Sequence, residues 1–383
     1  MPNTDLWSLS AGEQAQFVNT GKVTPVELLE SVISRVQQCN PKLHAYCTLD
    51  LDQARVRATA FTETLAAEPR NGGILAGVPV SIKDLIDTAG VRTTYGSVAY
   101  QNQTPAKNDV VVQRLLDADS VMIGKTNTSE FGYIAACHNN VFETTRNPWN
   151  LDRNPGGSSG GAAAAIASGM GSLAIGSDGG GSVRLPAALC GVVGFKGSFG
   201  LVPSFPGCRD PDSPGASSWE SLEVIGVLAR RVADVALAVA AIAGPDPRDR
   251  HSLPDLGLDW TQAVDNGITG ARVAWTDDFG GLVTVDPQVR KVFRHSLRAF
   301  TEMGCTLVEA APDLPELDAT FAALIARDSD LRGLRALINQ HGAENMLTEM
   351  VGLIRRDWTA TEFTDAAMMQ QRICNEVSGF MAD

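Results

Sequence analysis

Two clusters of glycine and serine are the parts of this 383-residue sequence best suited to covalent chemistry. Residues 155–161 contain Ser158 and Ser159, and residues 176–184 contain Ser182 directly after three glycines. Glycine costs chain entropy, so such clusters usually mark backbone that adopts positive φ or approaches a ligand closely. Successive N–H groups turned toward one point can hold an anion or a developing oxyanion. One cluster alone could be a flexible surface turn, but two clusters beside a candidate base favour a serine nucleophile.

A lysine supplies that candidate base. Lys83 ends the short apolar run Val78-Pro-Val-Ser-Ile82, which predicts a buried strand with a charge at its end. Burial and nearby donors can bring a lysine pKa from about 10.4 toward neutrality, which a general base requires. The histidines have no sequence relation to either serine cluster; they are residues 44, 138, 251, 295 and 341.

Composition narrows the class of protein. The net charge of −13 and the isoelectric point near 4.9 argue against a nucleic-acid partner, because phosphates require a basic face. No basic region followed by an apolar stretch opens the chain, and no run is apolar enough to span a membrane. The seven scattered cysteines form no C-x-x-C pair, so neither a disulfide framework nor a zinc site is expected. We therefore predict a cytoplasmic protein without a metal or an organic cofactor.

Helical patterns and short apolar strands alternate along the chain, which predicts an α/β fold. Residues 1–70 are expected to be a helical lead-in and residues 71–250 a catalytic core. Residues 251–383 are expected to add a βαβ unit and a helical cap to the same single domain. The proline- and glycine-rich stretch 203–218 predicts an ordered loop over a site.

The two clusters and their surroundings resemble the amidase signature family. The separation of 24 residues between Ser158 and Ser182 agrees with that family. The resemblance implies a three-layer α/β/α sandwich with a mixed, largely buried β-sheet. The motifs that carry it are Gly77-Val-Pro-Val-x-Ile-Lys83-Asp, Gly124-Lys-Thr-Asn127, Gly-Gly-Ser158-Ser-Gly-Gly and Asp178-x-Gly-Gly-Ser182-x-Arg184-x-Pro186-Ala.

The same resemblance implies a Ser-Ser-Lys triad that hydrolyses the carbon–nitrogen bond of a carboxamide through an acyl-enzyme, giving a carboxylic acid and ammonia or an amine. The substrate is expected to be a small-molecule amide, and aryl, aliphatic and small carboxamides all stay open. Ser182 would attack the amide carbonyl. Ser158, which would follow a cis peptide bond, would relay the proton, and Lys83 would be the ultimate base. The resemblance also implies an oxyanion hole formed by the backbone amides of Gly179, Gly180, Gly181 and Ser182. Asp178 and Arg184 would form an ion pair that braces this loop, and Ser159 would be a supporting hydrogen-bond partner.

The sequence departs from the family pattern in three places. Residues 196–200 and 226–228 differ from the residues that the family commonly has there, and we expect both stretches to be scaffold turns. Family members also continue with a further strand-rich segment that this sequence does not contain, so completion of the sheet and closure of the pocket are open.

Alternative functions also stay open. Gly157-x-Ser159-x-Gly161 fits the nucleophile elbow of an α/β-hydrolase esterase, which should follow a buried strand. The glutaminase-like subunit of a tRNA-dependent amidotransferase would share the triad and need a partner chain. A truncated and inactive protein would keep the motifs, and a homodimer is possible.

Overall fold

The computed structural model describes residues 5–67, 72–206, 219–315 and 317–382. The chain divides into two compact units, each of two segments: Met1–Ala263 with Asp328–Arg355, and Val264–Arg327 with Arg356–Asp383. Most of the loop predicted over the site, residues 207–218, lies outside the described residues. The assignment of the whole chain to one domain stays a prediction.

A mixed six-stranded sheet forms the centre of the first unit. Its strand order is β1-β3-β2-β4-β6-β5, with β2 parallel to both β3 and β4, and with β1 and β6 antiparallel to their neighbours. The four inner strands are buried at every position, which confirms the predicted mixed and largely buried sheet. The strands are β1 (Tyr46–Leu49), β2 (Pro79–Lys83), β3 (Val121–Thr126), β4 (Leu173–Asp178), β5 (Val193–Lys196) and β6 (Val224–Ala229).

Helices cover both faces of this sheet, as predicted for an α/β/α sandwich. Helices α1, α4 and α7 pack on the face that carries Val80, Ile82 and Ile175, while α2, α3 and α5 pack on the face that carries Ile123. The first-unit helices are α1 (Ala11–Asn19), α2 (Pro25–Leu43), α3 (Leu51–Ala67), α4 (Val110–Asp117), α5 (Gly160–Ala167), α6 (Arg184–Cys190), α7 (Val232–Ile242), α8 (Trp260–Ala263), α11 (Leu331–His341) and α12 (Thr348–Arg355).

Capping residues set where the first helices begin. The hydroxyls of Ser10 and Thr24 each accept the backbone N–H three residues on, and Glu13 and Glu27 reach back to complete two capping boxes. Each cap satisfies backbone donors that the first helical turn leaves without partners. Local sequence therefore sets where α1 and α2 begin.

The second unit contains the βαβ element that the sequence predicts. Strands β7 (Arg272–Trp275) and β8 (Thr306–Glu309) are parallel, and α9 (Pro287–Glu302) connects them. Arg290 and Arg294 of α9 both lie within ion-pair distance of Asp277. Helices α10 (Asp318–Arg327) and α13 (Ala360–Ala382) pack against each other in the same unit.

The structure corrects two expectations from sequence. Residues 226–228, expected in a scaffold turn, lie in the buried strand β6, where Gly226 pairs with Gly176. Strand β1 lies in the N-terminal region that was predicted to be helical, and it pairs with β3 at the edge of the sheet. Both are short apolar segments, for which local periodicity does not separate a strand from its surroundings.

Candidate active site

The register of two parallel strands positions the candidate base. Ile82 of β2 lies opposite Ile175 of β4, so Lys83 and Ser177 reach the same end of the sheet. Lys83 is completely buried, and its Nζ lies 2.7 Å from Ser158 Oγ. The same nitrogen lies 3.0 Å from Ser177 Oγ and 3.3 Å from the Ser177 carbonyl oxygen. The pairing of β2 with β4 thus brings Lys83 to Ser177, and Ser158, which lies outside the sheet, contacts the same nitrogen.

Ser158 and Ser159 directly precede helix α5, in a segment that passes very close to other backbone. The Gly157–Ser158 peptide bond is cis, as the resemblance implies. A Cβ atom on Gly157 would lie 2.5 Å from the carbonyl carbon of Ala136, so only glycine fits there. Ser158 and Ser159 are both buried, and the Ser159 hydroxyl donates to the Ser177 carbonyl oxygen at 3.2 Å.

Ser182 lies on the glycine loop between β4 and α6, next to the Ser158 segment. Its carbonyl oxygen accepts the Ser159 N–H at 3.0 Å, so the two serine clusters are joined through backbone. Within the described residues, no hydrogen bond joins the Ser182 and Ser158 side chains. Hydrogen bonds between catalytic groups are often long before substrate binds, so this geometry is compatible with a relay.

Asp178 and Arg184 brace the two ends of the glycine loop. The Asp178 carboxylate accepts from Arg184 Nη2 at 2.8 Å and Arg184 Nε at 2.9 Å, and from the amides of Gly181 and Val183. Burial alone opposes ionisation of Asp178, but these donors outweigh it and lower its pKa to about 2. The predicted ion pair is therefore present, and it acts on the loop backbone as well as on the arginine.

The four amides predicted for the oxyanion hole are not equivalent. The Gly181 N–H donates to Asp178 Oδ1 at 2.7 Å, so it is already engaged. Gly181 itself has a φ of +105°, a value that favours glycine. The amides of Gly179, Gly180 and Ser182 have no hydrogen-bond partner among the described residues. The oxyanion hole stays a prediction, and these three of its four predicted amides are the ones left unengaged among the described residues.

Sequence reasoning missed two residues at this site, Ser177 and Gly132. Ser177 contacts Lys83 through both its hydroxyl and its carbonyl, and an ideal Cβ on Gly132 would lie 3.4 Å from Ser158 Oγ. Ser177 follows Gly176 in the second cluster. Its contact with Lys83 could have been predicted only if the pairing of β2 with β4 had been known. Gly132 has no sequence signal that separates it from an ordinary turn.

The structure does not provide the elbow that an esterase using Ser159 requires. The segment 151–158 before Ser159 has no regular secondary structure, whereas a nucleophile elbow follows a strand. The Ser159 hydroxyl is also completely buried and engaged with the Ser177 carbonyl. Its position fits the predicted role of a supporting hydrogen-bond partner.

No group of three or more histidine, cysteine, aspartate or glutamate residues in the described segments could hold a metal ion. In those same segments, none of the helices combines the length and apolar character needed to cross a bilayer.

Comparison with known proteins identifies the family. A profile of the Amidase family matches residues 27–377, and this chain therefore belongs to the amidase signature family. A glutamyl-tRNA(Gln) amidotransferase subunit from Desulforamulus reducens is 37% identical over 83% of this chain and 63% of its own length. An acylamidase from Rhodococcus erythropolis is 39% identical over 82% of this chain and 63% of its own length.

Solved structures agree with this assignment. A bacterial aryl acylamidase of the amidase signature enzymes superposes with a TM-score of 0.88 at 29% identity, covering 98% of this chain and 78% of that one. The chain spans just under two thirds of the length of the two curated relatives. The fold is therefore that of amidase signature enzymes, and the reaction of the whole protein has to be argued from the site.

Proposed function

We propose that this chain hydrolyses the carbon–nitrogen bond of a carboxamide, releasing a carboxylic acid and ammonia or an amine. The observation that carries the proposal is the 2.7 Å contact between buried Lys83 Nζ and Ser158 Oγ. Loss of hydration disfavours the charged form of a buried amine, so Lys83 can accept a proton across this contact. The neighbouring glycine loop supplies a second serine and free amides beside that pair.

The first step forms a tetrahedral intermediate on Ser182. Ser182 Oγ attacks the carbonyl carbon while its proton moves to Ser158 Oγ, and the Ser158 proton moves to Lys83 Nζ. The carbonyl π electrons move to oxygen, and the amides of Gly179, Gly180 and Ser182 stabilise the resulting oxyanion. Each such donor typically contributes about 10²–10³ in kcat.

The second step breaks the carbon–nitrogen bond. An electron pair of the oxyanion re-forms the carbonyl while the electrons of the carbon–nitrogen bond move to the leaving nitrogen. The nitrogen takes the proton back from Lys83 through Ser158, and the acyl group remains on Ser182 as an ester, the acyl-enzyme. Water then attacks the Ser182 ester by the same proton route, and the acid leaves with the nucleophile restored. The loop geometry, held by Asp178, is present before substrate binds, so little reorganisation is needed at the moment of attack.

A second candidate is a glutaminase-like subunit of a tRNA-dependent amidotransferase. It is favoured by the 37% identity to such a subunit, which is close to the 39% identity to an acylamidase. A protein of this kind would share the triad and would act only with partner chains. The first proposal, by contrast, includes a small-molecule amide as the direct substrate and a cytoplasmic location for the chain.

A fluorophosphonate probe tests the nucleophile directly. The purified chain is incubated with the probe, and the modified residue is located by peptide mass spectrometry. We expect the label on Ser182, abolished in Ser182→Ala and slowed by about 10²–10⁴ in Lys83→Ala. Exposed Lys107→Ala serves as the matched lysine control and should label at the wild-type rate. Label on Ser159, or none on Ser182, would overturn the triad.

Substrate use then separates the two candidates. Turnover of anilides or simple primary amides by the isolated chain supports the amidase. Labelling of Ser182 without turnover of those amides, combined with hydrolysis of glutamine that appears only when amidotransferase partner subunits are added, supports the second candidate.

A further inference from the structure

A turn before β6 packs directly on the first amide of the glycine loop. An ideal Cβ on Gly179 would lie 2.7 Å from Trp219 Cε3, so the indole ring lies against the Gly179 backbone. Trp219 is only 7% exposed and has a φ of +49°. Asp178 pairs with Val224 in the β4–β6 ladder, so the glycine loop and the turn extend from one strand pair.

The turn is held from a distant part of the chain. The Trp219 carbonyl accepts the amides of Leu222 at 2.7 Å and Glu223 at 3.0 Å, which closes the turn. Ser221 donates to Asp328 Oδ2 through its amide at 2.9 Å and through its hydroxyl. Asp328 therefore fixes the turn that carries the indole ring.

The residue after Asp328 contacts the segment that lies beside Ser158. Ser329 Oγ lies 2.6 Å from the Tyr133 hydroxyl, and Tyr133 follows Gly132, the residue beside Ser158. The Tyr133 ring packs edge-on against the Trp219 ring, with 5.3 Å between centroids and an angle of 89°. Two adjacent residues thus connect the Ser158 side of the site with the Gly179 side.

We propose that Trp219 and Asp328 are positioning residues for the oxyanion loop. Trp219 presses on the Gly179 backbone and sets the direction of its free amide, and Asp328 keeps the Trp219 turn in place. The inference rests on the proposed function, because it assumes that Gly179 donates to an oxyanion. A buried indole could instead only fill space, in which case its loss would lower the fraction of folded protein and leave the rate per site unchanged.

The rate and the final extent of fluorophosphonate labelling separate these roles. The phosphonyl oxygen occupies the oxyanion hole during the reaction, so the rate constant reports on the loop, and the final stoichiometry reports on folded sites. We expect Trp219→Ala and Asp328→Ala to slow labelling of Ser182 by about 10–100-fold, less than the full loss of one donor, with stoichiometry preserved. Because both act through one turn, the double variant should be little slower than the slower single variant.

Conservative variants and controls complete the experiment. Trp219→Phe keeps a ring and Asp328→Asn keeps an acceptor oxygen, so both should stay within about 3-fold of wild type. Trp358→Ala, whose ring stacks on Phe363 in the second unit, and exposed Asp152→Ala should label at the wild-type rate. Wild-type rates in Trp219→Ala, or reduced stoichiometry at an unchanged rate, would overturn the positioning role. Failure of the wild-type chain to label on Ser182 would instead reject the proposed function itself.

Discussion

Lys83 Nζ and Ser158 Oγ lie 2.7 Å apart although the two residues are 75 positions apart in the chain. Lys83 is at the end of β2, and Ser158 is in the irregular segment before α5. Both side chains are buried, so water does not compete for their hydrogen bond. In the proposed mechanism, the proton moves from the serine to the lysine across this contact.

Removal of the relay hydroxyl should impair chemistry and leave folding intact. We expect Ser158→Ala to lower kcat for amide hydrolysis by about 10²–10⁴, the range for loss of a general acid–base group. The measurement is steady-state kinetics alongside urea unfolding. Ser168→Ala is the matched control, since Ser168 is also buried and its hydroxyl has no partner among the described residues. Equal kcat values in the two variants would contradict the relay.

Loss of the Asp178 carboxylate should destabilise the glycine loop. Asp178→Ala leaves the amides of Gly181 and Val183 without their acceptor, and hydrogen bonds to a charged group contribute about 1.5–3 kcal/mol each. We expect the free energy of unfolding in urea at pH 7 to fall by at least about 2 kcal/mol. Arg184→Ala should cost less, because the Arg184 side chain is 53% exposed and both amides keep their acceptor.

The pH dependence of this effect has a defined sign. The pKa of Asp178 is lowered to about 2 in the folded protein, below its unfolded value near 4. Its stabilising contribution is therefore fully present above about pH 4 and is lost as the pH falls toward 2. The difference in unfolding free energy between wild type and Asp178→Ala should shrink over that range. A difference that grows on acidification would show that Asp178 is not ionised in the folded state.

Asp84 should give the opposite pH dependence. Burial raises its pKa to about 6, although the Lys125 charge and hydrogen bonds from Thr94 oppose that shift. A raised pKa means that stability falls as the pH rises from about 4 to about 6, by up to about 1.4 kcal/mol per pH unit. Asp84→Asn does not titrate, so its unfolding free energy relative to wild type should increase over this range and then level off.

The control for this prediction is Asp152→Asn, which removes an exposed carboxylate and should follow wild type at every pH. Urea unfolding at intervals between pH 4 and pH 8 measures the difference. A relative stability of Asp84→Asn that decreases with pH would mean that attraction to Lys125 exceeds the cost of burial, with Asp84 ionised throughout.

Gly161 should not tolerate a side chain. A Cβ there would lie 2.5 Å from the Ala45 carbonyl oxygen and closer still to the Asn127 nitrogen, and both atoms belong to backbone. We expect Gly161→Ala to lower the free energy of unfolding by about 1–3 kcal/mol or more. Gly352→Ala is the control, because nothing lies within 4 Å of its Cβ in helix α12, and it should add about 0.5–1 kcal/mol. Similar effects in the two variants would contradict the close approach.

Local sequence was sufficient for much of the fold. The capping boxes at Ser10 and Thr24, the strand that ends at Lys83 and the order of strand, helix and strand after Ala271 all follow from patterns within short stretches of the chain. The motif spacing was sufficient to predict the family. These features are readable because hydrogen bonding and hydrophobic periodicity over a few residues determine them.

The sequence by itself therefore determined the fold class, the family and the residues available for chemistry. Only the tertiary structure decided which of these residues are in contact. The pairing of β2 with β4 places Ser177 beside Lys83, and the Gly181 amide donates to Asp178. Trp219 lies against Gly179, and Ser221 in the same turn donates to Asp328, which is 107 residues further along the chain. Such contacts depend on the order and register of strands, which local patterns do not encode because each strand alone can pair with several partners.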